Sequence, residues 1–377
     1  TRRVAQGMTS GVRRLEGLCE RADGVLYIEP LNPAASDSGE GMALPLAGGR
    51  LVFRRARVVR RRGTEAAAET VVDAEELASA AESLARRGDT KLRDRLAAVT
   101  GTRAAIAGLS LDRPRVMGIV NVTPDSFFFF FDHVGPAAAI AHGFDLVAAG
   151  ADVLDIGGES TRPGAQAVST SDELKRVLPV IEGLRSCSVP LSIDTRKAAV
   201  MRAAVAAGAS LVNDVSALSH DVDSMAAVAE LGTPVVLMHM QGEPATMQAD
   251  PRYGDVRLDV HDALEARVNA CRAAGIGIER IVVDPGLGFG KRFEDNLRLL
   301  GSLGLLHGLG CALMVGASRK RFLGQVTGVE RPKQRLGASL AAALWAAEKG
   351  AHFVRAHDVA ATAQALAMWR QTALEER

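Results

Sequence analysis

Polar side chains recur at the ends of eight short apolar segments in the C-terminal two thirds of the sequence. In chain order they are Asn121, then Glu159, Ser160, Thr161 and Arg162, then Asp194, Asn213, Asp214, His239, Asp284, Ser318, Arg319, Lys320, Arg355 and His357. Any one of them has an ordinary structural explanation, such as a helix cap, a closed turn or a buried histidine. Eight such coincidences are less credible than one shared pocket, so we interpret the set as a functional site.

The chemistry of this set is that of carboxylates and carboxamides rather than of a nucleophile with its base. The sequence contains no Gly-x-Ser-x-Gly motif and no Cys/His catalytic signature, which argues against covalent catalysis. Asp and Asn side chains suit a flat heterocycle whose edge offers N–H donors and carbonyl acceptors. Arg355, His357 and the GASRK sequence at 316–320 suit an anion such as a phosphate.

The apolar segments that carry these side chains alternate with Ala- and Leu-rich helical stretches, which is the pattern of repeated βα units. The predicted strands are 116–121, 152–157, 190–194, 210–214, 234–239, 280–284, 311–316 and 352–356. Their Val-, Ile- and Leu-rich character is typical of strands buried on both faces. We predict an α/β fold, a (β/α)8 TIM barrel, in preference to an open doubly wound sheet, because no GxGxxG turn follows the first strand.

A barrel would gather the strand ends on one face, where the βα loops build catalytic pockets. The residues after strands seven and eight would then lie where barrels often bind phosphate, which fits GASRK, Arg355 and His357.

Residues 1–111 lack the regular βα alternation. We predict that they form a small α+β accessory region of unknown function before the barrel of residues 112–377. The sequence LVFRRARVVRRR at 51–62 predicts a pair of strands, and residues 72–88 predict a helix with Asp73 as its N-cap. The run Arg60, Arg61 and Arg62 indicates a solvated edge strand protected by charge, in preference to a contact with an anion or nucleic acid.

The composition limits the partners. Lys and Arg number 45 and Asp and Glu 44, giving a net charge of +1, so no global field would attract nucleic acid or a membrane. The four cysteines lack metal-ligand spacing and predict buried free thiols in a reducing compartment. Because no apolar run approaches the roughly 20 residues of a spanning helix and the start lacks a secretory segment, we expect a cytoplasmic protein with small-molecule substrates.

Seven motifs occur together and in order in residues 115–370, and they resemble those of the dihydropteroate synthase family. They are MGIVNVTPDSF (117–127), DIGGESTRPGA (155–165), SIDTRK (192–197), VNDVSA (212–217), DPGLGFGK (284–291), GASRKRF (316–322) and RAHDV (355–359). The resemblance implies a transferase of folate biosynthesis that condenses (7,8-dihydropterin-6-yl)methyl diphosphate with p-aminobenzoate, giving 7,8-dihydropteroate and diphosphate.

The resemblance also implies roles for matching residues. The pterin-binding set is Asp194, Asn213, Asp284 and Lys320, of which Asp284, Lys320 and Asp194 are the expected catalytic groups. The diphosphate-binding set is Asn121, Thr161, Arg355 and His357. The p-aminobenzoate-binding set is Thr161, Arg162, Pro163, Phe289 and Lys320. Asn121 is the expected contact of a Mg2+ ion, and the family implies a homodimer through the last helices, although the helix at 337–351 with Trp345 is on its own more typical of core packing.

One loop departs from the family pattern. Where the family has a Ser-Asp-Gly-Gly-like turn, this sequence has Phe127 to Phe131 followed by Asp132. The run is a sequence artefact, a change that alters substrate selection, or a cause of lost activity; we favour the first. Two other functions therefore stay open: a paralogue that binds pterin without turning it over, and a methyl-folate-binding methyltransferase. The methyltransferase would not need a diphosphate site, so Arg355 and His357 argue against it.

Overall fold

The structure is a computed structural model that describes residues 2–19, 24–35, 41–63, 65–122, 135–160 and 167–373. Several residues with predicted roles lie outside the described residues. They are the phenylalanine run 127–131, Asp132, Thr161, Arg162 and Pro163.

The accessory region is built of helices and two small antiparallel sheets. Its elements are α1 (Arg2–Cys19), β1 (Val25–Leu31), β2 (Ala34–Ala35), β3 (Leu44–Pro45), β4 (Leu51–Phe53), β5 (Arg55–Arg62), β6 (Glu65–Asp73), α2 (Ala74–Arg86) and α3 (Lys91–Thr100). The sheets have the orders β1-β5-β6 and β2-β4-β3. Residues 51–62 form two strands as predicted, although β4 and β5 belong to different sheets. The predicted helix is confirmed, since α2 begins after Asp73, whose backbone N–H donates to the Glu76 carboxylate at 3.3 Å.

The rest of the described chain alternates strands and helices. The elements are β7 (Arg115–Asn121), α4 (Pro136–Ala148), β8 (Val153–Gly157), α5 (Thr170–Leu184), β9 (Leu191–Asp194), α6 (Ala198–Ala207), β10 (Leu211–Asp214), α7 (Ser224–Leu231), β11 (Val235–Met238), α8 (Val256–Ala273), β12 (Ile281–Asp284), α9 (Phe293–Gly301), β13 (Ala312–Val315), α10 (Arg321–Thr327), α11 (Leu336–Glu348), β14 (Phe353–Ala356) and α12 (Val359–Ala373). Short 3-10 helices span Ile278–Arg280, Leu303–Leu309 and Pro332–Gln334. Strands β7 to β14 form one closed parallel barrel, in which β14 pairs with β7, so the predicted (β/α)8 fold is confirmed.

The register of the barrel aligns the strand ends. Asn121 on β7 is paired with Gly157 on β8, Gly157 with Asp194 on β9, and Asp194 with Asn213 on β10. These four residues therefore form one row across four neighbouring strands. Asp155 lies two positions before Gly157 and so on the same face of β8, one layer deeper.

The accessory region docks on the outer surface of the barrel at α8. The Tyr27 hydroxyl donates to Asp262 at 2.7 Å, and Arg61 forms ion pairs with Asp259 and Asp262. Arg95 on α3 pairs with Glu265 at 2.8 Å. Polar groups on three elements of the accessory region thus bind the acidic side of one barrel helix.

This docking corrects the prediction for the arginine run. Strand β5 is the central strand of its sheet rather than an edge strand, and Arg60 and Arg61 are buried. The prediction was wrong because the sequence of β5 does not reveal that carboxylates from α8 lie against it.

None of the four cysteines, all of which the structure describes, forms a disulfide, as predicted, and Cys187 alone among them is only partly buried. Trp345 was expected in the core, but 41% of it is exposed and its indole N–H donates to the Leu300 carbonyl.

Within the described ranges, no helix combines the length and apolar character needed to cross a bilayer.

The floor of the barrel is closed by Ile106, which the accessory region contributes just before β7. Ile106 is 1% exposed and forms a small bridge with Leu109. It packs into a cluster of barrel residues, namely Met117, Val153, Leu211, Val236, Val282, Ala312, Met314 and Phe353. Ile106 therefore completes a core to which seven of the eight barrel strands contribute.

Substituting Ile106→Ala should lower the free energy of unfolding by about 2–5 kcal/mol, because it removes buried methyl groups and leaves a cavity in the closed floor. Urea unfolding followed by circular dichroism measures this. The control is Val222→Ala, at a position 94% exposed, where a change within about 0.5 kcal/mol is expected. An equal effect of the two substitutions would contradict the role of Ile106 as a plug.

Candidate active site

Arg355 on β14 joins two carboxylates inside the barrel. Its Nε donates to Asp155 Oδ2 at 2.6 Å, and a terminal nitrogen donates to Asp194 Oδ2 at 2.9 Å. Asn213 Nδ2 donates to the same Asp155 oxygen at 3.0 Å. The predicted residues Asp194, Asn213 and Arg355 are thus brought together, and Asp155 links them. We call Asp155, Asp194, Asn213 and Arg355 the floor cluster.

Asp155 and Asn213 are buried and the Asp194 side chain is 15% exposed, which changes the acidity of Asp194. Asp155 is fully buried, and its Oδ1 has no hydrogen-bond partner among the described residues. Burial, followed by the negative charge of Asp155, raises the pKa of Asp194 to about 7, although Arg355 opposes the shift. Asp194 can therefore bind or release a proton close to neutral pH.

Asp284 ends β12 on the other side of the cavity. Its Oδ1 accepts the Gly286 backbone N–H at 2.7 Å, and burial raises its pKa while Lys320 opposes the rise. A Cβ atom on Gly316 would lie 3.6 Å from Arg355 Cβ and 3.9 Å from Asp284 Oδ2. Asp284 and the floor cluster therefore border one space, as the sequence predicted.

Lys320 and Phe289 lie together above Asp284. The Lys320 ammonium donates to the Leu287 carbonyl and lies 4.7 Å from the centroid of the Phe289 ring. Burial lowers the pKa of Lys320 to about 8, and the Asp284 carboxylate opposes this. The two residues present a cation and an aromatic face beside the buried acid.

Lys291 fixes the loop that carries Phe289. Its buried ammonium donates to the carbonyls of Gly286 and Phe289, both at 2.9 Å, and lies 3.0 Å from His239 Nδ1. The loop also approaches β11 closely, because a Cβ on Gly286, whose φ is +66°, would lie 1.9 Å from the His239 carbonyl oxygen. Only glycine fits there. His239, a predicted strand-end residue, thus serves as a support for this loop.

The expected anion-binding residues lie at the ends of β13 and β14. His357 Nδ1 is 3.1 Å from the Ser318 hydroxyl, which also accepts the His357 backbone N–H. Arg319 turns away and donates to Asp358 at 2.8 Å. The sequence interpretation separated a ring-binding half from an anion-binding half, whereas Arg355 contacts the acids directly and lies at the junction of the two.

Two other strand-end acids have structural partners. Asp214 accepts the Ser216 N–H at 2.7 Å and the Leu218 N–H at 3.1 Å, so it closes a turn. Glu159 pairs with Lys197 at 2.9 Å and with Arg196 at 3.3 Å. Neither side chain is available to the cavity in this arrangement.

Sequence reasoning missed Asp155 and Lys291. Both lie inside the motifs quoted above, but neither stands at the end of a predicted strand, where the functional side chains were sought. The signal for Asp155 is a carboxylate in the middle of an otherwise apolar strand, where a buried charge needs a partner. The signal for Lys291 is weaker, since a lysine that follows a glycine-rich loop is usually exposed.

Comparisons with known proteins identify the family of the chain. Residues 117–357 match the pterin binding enzyme family. A curated dihydropteroate synthase of Escherichia coli K12 is 45% identical over 259 residues, which are 68% of this chain and 91% of that protein. The Xanthomonas albilineans dihydropteroate synthase solved with 4-aminobenzoic acid is 53% identical, with a TM-score of 0.67 over 72% of this chain and 97% of that one. The same enzyme solved with 7,8-dihydropteroate shows 50% identity and a TM-score of 0.65, over 72% of this chain and 98% of that one.

The raised pKa of Asp194 predicts a pH dependence of stability. Its pKa in the folded protein exceeds the ordinary value of 3.8, so its contribution to stability is complete below that value and is lost as the pH rises through about 7. Asp194→Asn removes this titration. Thermal melts without ligand should therefore show that the melting temperature falls less from about pH 5 to about pH 8 in the variant than in the wild type.

Asp221→Asn is the matched control. The backbone N–H groups of Asp223 and Ala198 lower the pKa of Asp221, so its stabilising effect is present at neutral pH and is lost only as the pH falls. This variant should change the acid limb and leave the neutral limb as in the wild type. Parallel profiles for Asp194→Asn and the wild type would show that Asp194 does not titrate in this range.

Proposed function

The chain belongs to the pterin binding enzyme family, and from this premise we propose that it is a dihydropteroate synthase of folate biosynthesis. It joins the methylene carbon of a (7,8-dihydropterin-6-yl)methyl diphosphate to the amine of p-aminobenzoate, giving 7,8-dihydropteroate and diphosphate. The observation that carries this proposal is the floor cluster, a hydrogen-bonded set of two acids, an amide and a guanidinium bordering the same cavity as Asp284.

The floor cluster suits a pterin ring. The ring edge offers amino and ring N–H donors beside a carbonyl acceptor, which matches the carboxylates of Asp194 and Asp284 and the carboxamide of Asn213. The near-neutral pKa of Asp194 lets the cluster accept or supply a proton to match the ring, and Asp155 Oδ1, which has no hydrogen-bond partner among the described residues, offers a further acceptor. Lys320 adds a donor at the upper edge. These four residues, Asp194, Asn213, Asp284 and Lys320, are the proposed pterin site.

The reaction is a substitution at the pterin methylene. The C–O bond to diphosphate breaks and its electron pair leaves with the diphosphate, while the amine lone pair forms the C–N bond and the amine then loses a proton to solvent. Positive charge that develops on the pterin is stabilised by the buried Asp284 carboxylate, whose field is strong where water is excluded. Asp194 holds the ring, and Lys320 balances the charge of Asp284.

The leaving diphosphate lies beside Arg355 and His357 in this proposal. Arg355 uses two of its N–H groups for Asp155 and Asp194, which leaves others for phosphate oxygens. Thr161, outside the described residues, and Asn121 would complete the site. A guanidinium that contacts both the pterin acids and the diphosphate would couple the fit of the ring to the position of the leaving group.

A Mg2+ ion fits at Asn121. The carboxamide oxygen is a ligand that Mg2+ accepts, and this ion is commonly held by one or two protein groups together with substrate phosphates. Asn121 shares a row with Asp194, and its side chain makes no hydrogen bond to another residue in the part of the chain that the structure describes. When bound, the ion would neutralise charge on the diphosphate.

The second substrate is proposed to lie on Phe289 and Lys320. The ring of p-aminobenzoate would pack on the Phe289 face, and its carboxylate would pair with the nearby ammonium. Thr161, Arg162 and Pro163 belong to the same proposal.

Two further proposals concern assembly and location. The last helices carry exposed apolar side chains, with Leu336 38%, Trp345 41% and Met368 65% exposed, which supports a homodimer through α11 and α12. Cysteines that form no disulfide support a reducing compartment, the cytoplasm.

An activity assay tests the proposed function. The purified chain, supplied with the pterin diphosphate, p-aminobenzoate and Mg2+, should form dihydropteroate and diphosphate in equal amounts. Pterin binding without diphosphate release would favour the non-catalytic paralogue and would be expected if the phenylalanine run abolishes activity. Methyl transfer from a methyl-folate would favour the methyltransferase.

Asp284→Asn should lower kcat by about 10²-fold or more, because it removes the charge that stabilises the cationic transition state while it keeps the shape of the side chain. The matched control is Asp214→Asn, a buried acid that closes a turn at the end of β10. That variant should lower the melting temperature and leave kcat close to that of the wild type. Equal kcat values for Asp284→Asn and the wild type would remove Asp284 from the mechanism.

A further inference from the structure

The accessory region has no part in the proposed chemistry, yet one of its side chains connects to the pocket. Arg61 on β5 forms a fork on α8, in which one terminal nitrogen is 2.5 Å from Asp259 Oδ1 and the other 2.9 Å from Asp262 Oδ2. The Arg61 side chain is only 10% exposed and that of Asp259 22%. A pair shielded to this extent is screened less by solvent than a surface pair, and its planar geometry fixes the orientation of the Asp259 carboxylate.

The second oxygen of Asp259 holds the loop that precedes α8. Asp259 Oδ2 accepts the Gly254 backbone N–H at 2.8 Å. Gly254 belongs to the segment 239–255, which links β11 to α8; we call it the β11–α8 loop. Arg61 therefore holds the carboxylate that in turn holds the end of this loop.

The β11–α8 loop lies directly on the loop that carries Phe289. The Tyr253 hydroxyl donates to the Gly290 carbonyl at 2.5 Å, and Gln248 Nε2 donates to the Gly288 carbonyl at 2.7 Å. The backbones touch, since a Cβ on Gly290 would lie 2.5 Å from the Gln241 carbonyl oxygen. The loop beneath, residues 285–291, contains Phe289 and the Leu287 carbonyl that accepts from Lys320.

We propose that Arg61 is a positioning residue for the second substrate: by orienting Asp259 it holds the β11–α8 loop against residues 285–291 and so keeps Phe289 and Lys320 in place for p-aminobenzoate. This inference rests on the proposed function and gives the accessory region a part in it. The pterin site depends less on this contact, because the floor cluster is held within the barrel by its own hydrogen bonds.

An interface that only stabilises the fold would behave differently. Loss of stability lowers the fraction of active enzyme, and therefore the apparent kcat, and leaves KM as it was. Loss of positioning weakens the binding of one substrate and therefore raises one KM. The two roles are separated by steady-state kinetics at a temperature well below the melting transition of every variant.

The test compares Arg61→Met with Arg57→Met. Arg57 lies on the same strand and pairs with Glu29 inside the accessory region at 2.8 Å, so its loss perturbs the region without releasing Asp259. Arg61→Met should raise KM for p-aminobenzoate by about fivefold or more, a typical size for coupling between sites, while kcat and the KM for the pterin diphosphate change by less than about twofold. Arg57→Met should leave both KM values unchanged.

Two further variants follow the connection. Asp259→Asn weakens the pairing with Arg61 and should reproduce the rise in KM, and the double variant Arg61→Met/Asp259→Asn should show no additional rise because both changes break one path. Asp262→Asn disturbs the interface through Tyr27 and Arg61 but has no bond to the loop, so it should have the smaller effect. A fall in kcat with unchanged KM values in Arg61→Met would overturn the inference.

Hydrogen–deuterium exchange supplies a readout that does not need activity. In the full chain without substrates, Arg61→Met should speed exchange in peptides covering 240–255, and Arg57→Met should not. Equal exchange of these peptides in Arg61→Met and the wild type would overturn the inference by itself. A wild-type chain that fails to make dihydropteroate would instead overturn the proposed function, and the exchange data would still decide whether Arg61 restrains the loop.

Discussion

The guanidinium of Arg355 holds two buried carboxylates together, and the rest of the pocket depends on that interaction. Asp155 and Asp194 lie on neighbouring strands, inside a barrel where a single charge is costly and two like charges are more so. Arg355 on β14 reaches past β7 to pair with both carboxylates and so offsets their repulsion, and the Asn213 carboxamide donates to the Asp155 oxygen that the arginine already contacts. The cluster is possible only because closure of the sheet places β14 next to β7. The chemistry of the pocket therefore depends on closure of the barrel.

The sequence predicted the repeating strands and helices well, and it predicted side-chain contacts between distant parts of the chain poorly. Its eight predicted strands agree with the observed ones to within one residue at each end, because the apolar period and the following helices are local signals. The gathering of Asp194, Asn213, Asp284 and Arg355 followed from the barrel. Asp155 was missed because its partners, Asn213 and Arg355, belong to distant strands. Arg61 and Trp345 were assigned to the wrong environments for the same reason, since the burial of a side chain depends on surfaces that no neighbouring residue encodes. The boundary at residues 111 and 112 stays a prediction.

The residues around the cavity are held in place in two ways. Inside the barrel, the floor cluster is rigid because every member is bonded to another. At the rim, Lys291 and the glycines at 286 and 290 let two loops lie in backbone contact. Rims of this kind are where local opening costs least free energy. The hydrogen bond from Asp259 to Gly254 at the end of one loop, with Asp259 paired to Arg61 of the accessory region, adds a restraint on the rim from outside the barrel.

The plug at Ile106 has a consequence for how the chain acquires its structure. Ile106 precedes the first barrel strand, but its cluster includes Met117 at one end of the barrel sequence and Phe353 at the other. The plug can therefore be fully seated only after the last strand has joined the first. Contacts between residues so far apart in sequence form late and slowly, because the intervening loop must close before they stabilise anything. During synthesis the Ile106 side chain would therefore stay exposed until the last barrel strand has been made. The residue that closes the floor is synthesised before the barrel but buried after it.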